Sequence, residues 1–383
     1  MVKITLSPQS SMDPFVKQQV SAELQQLAKL LQAAGKSIGR VLVLTWRWLL
    51  LLGLTAVSLT LSLATLSGFV PLLAPTSRLL RRLNWAAELT SHWRPHYLVL
   101  LLLLTLLFVW RRRYGRAALT AVFATINLVL VAPLYVPSAA SVIYATSVHA
   151  ADVPTYRAVM LNVYTDGKHY GEVLDFLHTA DPDVIVLTEV LQGWSKALEP
   201  LLATYPYTNY EAARNYGGTV IYSRFPLAAG SSFAAISANG NGRPTALVQL
   251  DIAGQPVTII GTHPRSPQSV GRMEERNAQM VELGNKVAQQ SGAVLLLGDL
   301  NTTPWSPIFK QFLALSGLKN GRLGFGLQAT WPSLVGSLGI PIDHALISPG
   351  IHITQFQRGP NVGSDHYPII VDFSLDASTS GNK

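Results

Sequence analysis

The chain has 383 residues, too many for one compact domain, and a formal charge of +8. The excess lies in its first part: before Val153 there are fourteen Lys or Arg against four acids, a balance of +10, and from Val153 onward fifteen against seventeen, a balance of −2. The basic pI is therefore weak ground for a nucleic-acid partner, and the absence of cysteine excludes disulfides, thiolate metal sites and a Cys nucleophile.

In chain order, the first forty residues are polar and show no signal-peptide pattern. Within a tail spanning 1–47, Leu24, Leu27 and Leu31 recur at helical spacing among Gln and Lys, which predicts an interfacial amphipathic helix. The region 48–136 contains three uncharged runs, each expected to be a transmembrane helix. Trp48–Ala74 has 27 residues, more than the roughly 20 that cross a bilayer, with Trp46 and Trp48 as interfacial anchors. Tyr97–Trp110 has only 14, so as a span it relies on Trp93, Arg94 and Arg111 snorkelling at its ends; a re-entrant segment is the alternative. Ala117–Val136 has 20. Eight basic residues flank the cytoplasmic side of this arrangement, in the tail and the second connection. About four flank the other side, which puts the N-terminus in the cytoplasm.

Residues 137–154 read as a linker able to extend by at most roughly 60 Å. From there to residue 375 short β-rich runs alternate with amphipathic helices, and 376–383 is a polar tail. Strands are expected at Tyr156–Tyr164, Val184–Glu189, Thr219–Ser223, Thr245–Ile252, Val257–His263, Val294–Asp299, His344–Ser348 and Pro368–Phe373. Helices are expected at Tyr170–His178, Ser266–Gln290 and Pro307–Leu315, the second starting with Ser266 as N-cap and Pro267 in the first turn. Strands outnumber helices, so the fold class is α/β with a mixed-sheet sandwich rather than strict βα alternation.

Several strands run directly into polar residues. Val-Ile-Val-Leu-Thr leads to Glu189, Val-Thr-Ile-Ile-Gly-Thr to His263, and Val-Leu-Leu-Leu-Gly to Asp299 and Asn301. One such residue is most often a cap or a turn; several, all of oxygen or imidazole type, point to a shared site at the rim of a sheet. Asn162, Glu189 and Asp365 offer hard oxygen ligands that suit Mg²⁺ or Mn²⁺. Asp343 and His366 suit an imidazole polarised by a carboxylate, and His263 and Asn301 suit donors to a phosphoryl oxygen. Together these describe hydrolysis at phosphorus by in-line attack of water.

The segments Leu161-Asn162-Val163, Thr188-Glu189-Val190, Gly261-Thr262-His263, Gly298-Asp299-Leu300-Asn301, Ile342-Asp343-His344 and Ser364-Asp365-His366 occur in an order that resembles the endonuclease/exonuclease/phosphatase (DNase I-like) superfamily. The resemblance covers roughly Tyr156 to Phe373. The stretch from Asn301 to Pro307 and Thr330-Trp331-Pro332 look like a bacterial membrane-attached branch of it. The resemblance implies a four-layer α/β sandwich of two mixed sheets, with Asn162, Glu189 and Asp365 at the metal. It further implies that Asp299 orients the attacking water, Asn301 contacts the scissile phosphate and His263 stabilises the transition state. His366, steadied by Asp343, either contacts and protonates phosphate oxygens or acts as base.

Arg243, Trp305 and Trp331 are candidate substrate contacts, against a solvated loop Arg and Trp side chains that simply pack. Arg276 and Asn277 are candidates to brace the site, against a polar helix face as the default, and His344 reads as structural. The expected protein is a membrane-anchored, Mg²⁺-dependent phosphoesterase of the bacterial inner membrane with its catalytic domain on the extracytoplasmic side. Its expected partners are the lipid bilayer and a phosphate ester, with a lipid or small phosphoester favoured. A membrane-tethered nuclease is the alternative within the class, and a catalytically inactive receptor or scaffold is the alternative outside it. No protein partner can be inferred.

Overall fold

The computed structural model describes residues 14–67, 69, 77–137, 153–209, 218–236 and 244–376; Arg243, most of the 137–154 linker and the tail after Asp376 lie outside them. Packing divides the chain into Met1–Thr60 and Leu61–Lys383. Most of a 54-residue helix, α1 (Pro14–Ser67), makes up the first unit. No proline lies between Pro14 and Pro71, so nothing interrupts the helix where the tail was expected to give way to the first span.

The second unit begins with the end of α1 and three further helices, α2 (Arg78–Ser91), α3 (Arg94–Trp110) and α4 (Tyr114–Val131). Ser77 caps α2 by accepting a hydrogen bond from the Leu80 amide at 3.2 Å. Arg94 departs from the expectation that it snorkels. It is buried, and its guanidinium donates to Asn127 Oδ1 and to the Thr65 carbonyl, both at 3.2 Å. Asn127 in turn donates to Thr65 Oγ1 at 2.7 Å. A polar cluster thus ties α3 and α4 to the last turn of α1, where an unpaired charge would be costly. Among the described residues, two helical stretches, Ser21–Ser67 and Tyr114–Leu134, are by length and composition long and apolar enough to cross a membrane. The third candidate is α2 with α3, bent by 74°. Alone, the 17 residues of α3 rise only about 25 Å.

The remainder is an α/β sandwich of two six-stranded mixed sheets. The first comprises β1 (Tyr156–Asn162), β2 (Val184–Val190), β3 (Tyr207–Thr208), β4 (Gly218–Ser223), β11 (Ile351–Arg358) and β12 (Ile369–Leu375), in the order β11-β12-β1-β2-β4-β3. The second comprises β5 (Ala234–Ile236), β6 (Thr245–Ile252), β7 (Gln255–Thr262), β8 (Ala293–Asp299), β9 (Lys319–Asn320) and β10 (Asp343–Ile347), in the order β5-β6-β7-β8-β10-β9. Met160, Val186, Leu297 and Phe373 fill the space between the sheets. Outside the first sheet lie α5 (Tyr170–Ala180) and α6 (Gln192–Ala197), which bury Phe176, Leu177 and Trp194 against it. Outside the second lie α7 (Val270–Val287) and α8 (Pro307–Ser316), which bury Met280, Leu283, Phe309 and Phe312. The layers are therefore helix, sheet, sheet, helix. Central strands are buried on both faces, which is why they read as continuous apolar runs.

Two expectations need correction. The eight-residue strand β11 is absent from the sequence reading because its apolar pattern is broken by half-exposed His352 and exposed Thr354 and Gln355, and its register shifts between Ile353 and Gln355. The helix expected to start at Ser266 starts later: Ser269 is the N-cap and accepts from the Arg272 amide at 3.3 Å. Residues 265–268 instead line a cavity.

Each sheet contains one parallel pair, β1 with β2 and β7 with β8, and in each pair the strands end level: Asn162 opposite Thr188, and Thr262 opposite Gly298. Beside β8, antiparallel β10 starts at Asp343, opposite Asp299. Beside β1, antiparallel β12 starts at Ile369, so the chain just before it passes the same rim. One end of the sandwich thus receives all six polar segments.

Candidate active site

Local geometry explains the residue types in these segments. A Cβ on Gly298 would stand 2.1 Å from the Thr262 carbonyl oxygen, and one on Gly261 would stand 2.7 Å from Thr219 Cγ2 and 2.9 Å from Val186 Cγ1. Only glycine permits these approaches between neighbouring strands and between sheets. Three residues at the rim have left-handed backbone, Tyr164 (φ 60°), Glu189 (φ 64°) and Asn301 (φ 50°). Asn tolerates that region; Glu gains little from it, which makes the strained acid at the end of β2 a candidate functional position. A register shift of β2 against β4 between Leu187 and Val190 accompanies it.

Carboxylates and imidazoles alternate in a chain across the rim. Asp343 Oδ2 lies 2.9 Å from His366 Nδ1, and His366 Nε2 lies 3.7 Å from Asp299 Oδ2. Asp299 Oδ2 is 3.3 Å from His263 Nδ1, and His263 Nε2 is 3.0 Å from Glu189 Oε1. The Asn162 amide donates to Asp299 Oδ2 at 3.1 Å, and the Asn301 backbone N–H donates to Asp299 Oδ1 at 2.8 Å. Glu189 Oε2 accepts from the Thr165 amide at 3.0 Å. Ser364 donates to the Asn162 carbonyl at 2.6 Å, which joins the last segment to the first.

Electrostatics divides the roles. Burial disfavours a charged His366, but the Asp343 and Asp299 carboxylates outweigh burial and push the ring up to about 10. Burial also opposes charge on Asp343, and the His366 ring more than compensates, holding that carboxyl below its usual range. Asp299 goes the other way: burial dominates over the two nearby imidazoles, and its pKa is raised. The result is an imidazolium–carboxylate pair beside a more basic carboxylate.

Asn162, Glu189, His263, Asp299, Asn301, Asp365 and His366 all line one cavity of about 610 Å³. Asp343 lies behind His366, with its backbone carbonyl held by fully buried Arg322 and its amide 3.4 Å from Thr330 Oγ1. Arg276 is also fully buried, unlike the helix-face charge that is its default reading, and donates to the Asn301 carbonyl at 2.8 Å. His344 has the expected structural surroundings: its Nε2 is 2.8 Å from the Thr302 carbonyl and its ring lies against Phe309.

Trp305 is not at the site. It is buried against Val131 and Leu134, and the cavity wall holds Trp331 instead, whose indole N–H donates to Asp365 Oδ2 at 3.3 Å. The aromatic ring next to the Gly-Asp-Leu-Asn segment is thus a packing residue, because α8 begins just after it and turns it toward the helices. Arg243 lies outside the described residues. Sequence reasoning missed Trp85, Leu89 and His92, which line the cavity from α2. The available signal was Glu88, the sole acid between Glu23 and Asp152.

Metal-type donors are concentrated at the rim. Among the described residues, Asp299, Asp343 and His366 have ligand atoms within 4.8 Å of one another. Asp343 Oδ1 is buried with no hydrogen-bond partner. Glu189, Asn162 and Asp365 bring further hard oxygens to the same cavity. This donor set, rich in oxygen with no sulfur, fits a hard divalent cation.

The profile of the Endonuclease/Exonuclease/phosphatase family matches residues 161–366. Among solved structures the chain is similar to humanized D. rerio TDP2 carrying 14 mutations, at 16% identity, with 58% of this chain and 99% of that chain covered and a TM-score of 0.49. It is similar to an endonuclease/exonuclease/phosphatase from Beutenbergia cavernae, at 19% identity, 59% and 73% coverage and a TM-score of 0.46. It is also similar to Sphingomyelinase C from Streptomyces griseocarneus, at 16% identity, 57% and 99% coverage and a TM-score of 0.43. No curated protein matches the chain.

Proposed function

We propose a function from one premise: the chain belongs to the endonuclease/exonuclease/phosphatase family. It is a membrane-anchored phosphoesterase that hydrolyses a phosphate ester by attack of water at phosphorus, with Mg²⁺ or Mn²⁺ as cofactor and a lipid or small phosphoester as substrate. The observation that carries this reading is the alternating run Asp343, His366, Asp299, His263, Glu189 around a single cavity.

Glu189, with Asn162 and Asp365, would hold the cation, which when bound supplies positive charge against the phosphoryl oxygens. Asp299, its pKa raised by burial, accepts a proton from the attacking water. His366, held as imidazolium by Asp343, donates to a phosphoryl or leaving-group oxygen as negative charge develops there. This favours the donor role over the base role for His366. His263 and Asn301 orient Asp299 and offer further donors.

Membrane tethering concentrates headgroups and surface phosphoesters at the site. The −2 balance from Val153 onward gives duplex DNA little counterion-release affinity. The test is the full chain in detergent with Mg²⁺, offered bis(p-nitrophenyl) phosphate, p-nitrophenyl phosphate, phospholipid vesicles and plasmid DNA at about 150 mM salt. Turnover of small or lipid esters ahead of plasmid supports the reading. Salt-sensitive nicking of plasmid alone would make the protein a tethered nuclease, and activity on none of them would favour the scaffold.

A further inference from the structure

The helix between the first two membrane segments has two opposite faces. On one, Arg81, Trp85, Glu88 and His92 meet the sandwich. Arg81 pairs with Glu274, Trp85 Nε1 donates to the Pro267 carbonyl at 2.8 Å, Glu88 binds Arg276 and Ser306 at 2.8 Å each, and His92 Nδ1 lies 3.0 Å from Thr303 Oγ1. On the other face Leu79 and Leu83 are 66% and 55% exposed. A helix with charge-paired contacts on one side and bare leucines on the other is built to lie between a protein and an apolar phase.

That phase can be located. After the 74° bend, α3 presents Val99, Leu102, Leu103 and Leu106 without protein cover, as a helix surrounded by acyl chains would. At the start of α3, His96 Nε2 lies 2.7 Å from the Leu338 carbonyl. Leu338 closes a loop, Ser333–Leu338, that exposes Leu334, Val335 and Leu338. The loop is bound back to the site by the Ser333 amide, which donates to the Asp365 carbonyl at 2.8 Å. Thus the first turn of α3 touches the 333–338 loop, and the residues flanking that loop, Trp331 and Ile340, line the cavity together with Trp85 and Leu89 of α2. Its wall on this side is apolar, with Trp85 and Leu89 from α2 and Trp331, Ile340 and Ile342 from the sandwich. Arg265 and Arg272 line it as well and suit the phosphate.

We infer that α2 is an interfacial helix completing the catalytic cavity, and that the substrate is a phosphoester with an acyl or alkyl chain, taken from the surrounding bilayer, whose apolar part lies against Trp85 and Leu89. The inference rests on the phosphoesterase reading above and narrows its substrate class. Trp85 and Leu89 are specificity determinants: they recognise the chain and leave the chemistry at phosphorus to the rim residues. The arrangement also explains why the only acid of the membrane region is spent on docking α2.

Hexadecyl p-nitrophenyl phosphate and methyl p-nitrophenyl phosphate share one scissile bond and differ only in the chain. Water attacks phosphorus, the P–O bond to p-nitrophenolate breaks, and the product is the alkyl phosphate. Both are offered to the full chain in phosphatidylcholine nanodiscs, and the ratio of their kcat/KM values is read for the wild type, Trp85→Ala, Leu89→Ala and Trp85→Phe. The wild type should prefer the hexadecyl ester by about 100-fold, since partition into the disc and contact with the wall add. Trp85→Ala and Leu89→Ala should each lower that ratio about tenfold, and Trp85→Phe, which keeps an aromatic wall, should lower it less. A disturbed fold lowers both rates and leaves the ratio in place, so the ratio reports recognition. Equal use of both esters by the wild type, or ratios unchanged in both alanine variants, would overturn the inference while leaving a phosphoesterase. Turnover of neither ester would overturn the inference, and loss of turnover of p-nitrophenyl phosphate and plasmid as well would remove the phosphoesterase reading with it.

Discussion

Glu88 Oε1 lies 2.8 Å from Arg276 Nη2, with side chains 3% and 0% exposed, although 188 residues separate them in the chain. The pair joins α2 to the helix behind the rim, because Arg276 also donates to the Asn301 carbonyl at 2.8 Å. Removing one partner leaves a buried charge uncompensated, which costs roughly 3–5 kcal/mol. Glu88→Ala should therefore lower unfolding stability by that order in detergent, and the double variant Glu88→Met with Arg276→Leu should recover part of it. A loss below about 1 kcal/mol for Glu88→Ala would show the pair to be incidental. A fragment starting at Val153 lacks Glu88 and should share the defect of Glu88→Ala.

The Asp343–His366 pair predicts non-additive losses in rate. Asp343→Asn and His366→Ala should each lower kcat by about 10³-fold or more, and the double variant should lose little beyond the worse single one. Steady-state kinetics of the four proteins closes the cycle. Losses that multiply would show that Asp343 and His366 act separately.

Close packing at the rim separates two glycines. Gly298→Ala forces a methyl group to 2.1 Å from the Thr262 carbonyl and should destabilise the domain by about 3 kcal/mol or more, shown as a lower Tm. Gly171 lies in α5 with nothing within 4 Å of its would-be Cβ, so Gly171→Ala should raise stability by about 0.5–1 kcal/mol. A Gly298→Ala protein as stable as the wild type would contradict the strand approach described here.

Docking of α2 also bears on topology. It places the first connection and the sandwich on the same side, as three spans with a cytoplasmic N-terminus require. Reporters fused after Lys3 and after Arg113 should then lie on one side of the membrane and a reporter after Lys383 on the other. A reporter at Arg113 on the same side as Lys383 would mean that α3 and α4 do not both cross.

Much of the rim was legible in the sequence because its signal is local. An apolar strand that runs into Glu189, His263 or Asp299 announces its burial and puts that residue at the rim, and eight of the twelve strands among the described residues were expected from short β-rich runs. Edge strand β11 was not legible, since a strand half in solvent carries polar residues on both phases of its alternation. Neither was the α2 wall. Its meaning depends on partners 182 to 211 residues away, which no local pattern encodes. Trp305 was misplaced for the same reason: sequence fixes its neighbour Pro307 as a helix start, and tertiary packing decides that the ring faces Val131 and Leu134.

The most direct test of the central claim is turnover of bis(p-nitrophenyl) phosphate by the full chain before and after exhaustive chelation with EDTA, followed by Mg²⁺ or Mn²⁺, with Asp299→Asn assayed alongside. Oxygen ligands at the rim predict activity that vanishes with EDTA, returns with either cation, and falls by about 10³-fold or more in Asp299→Asn at saturating metal. Full activity of the chelated protein, or an Asp299→Asn variant as fast as the wild type, would contradict a metal-assisted hydrolysis centred on this cavity.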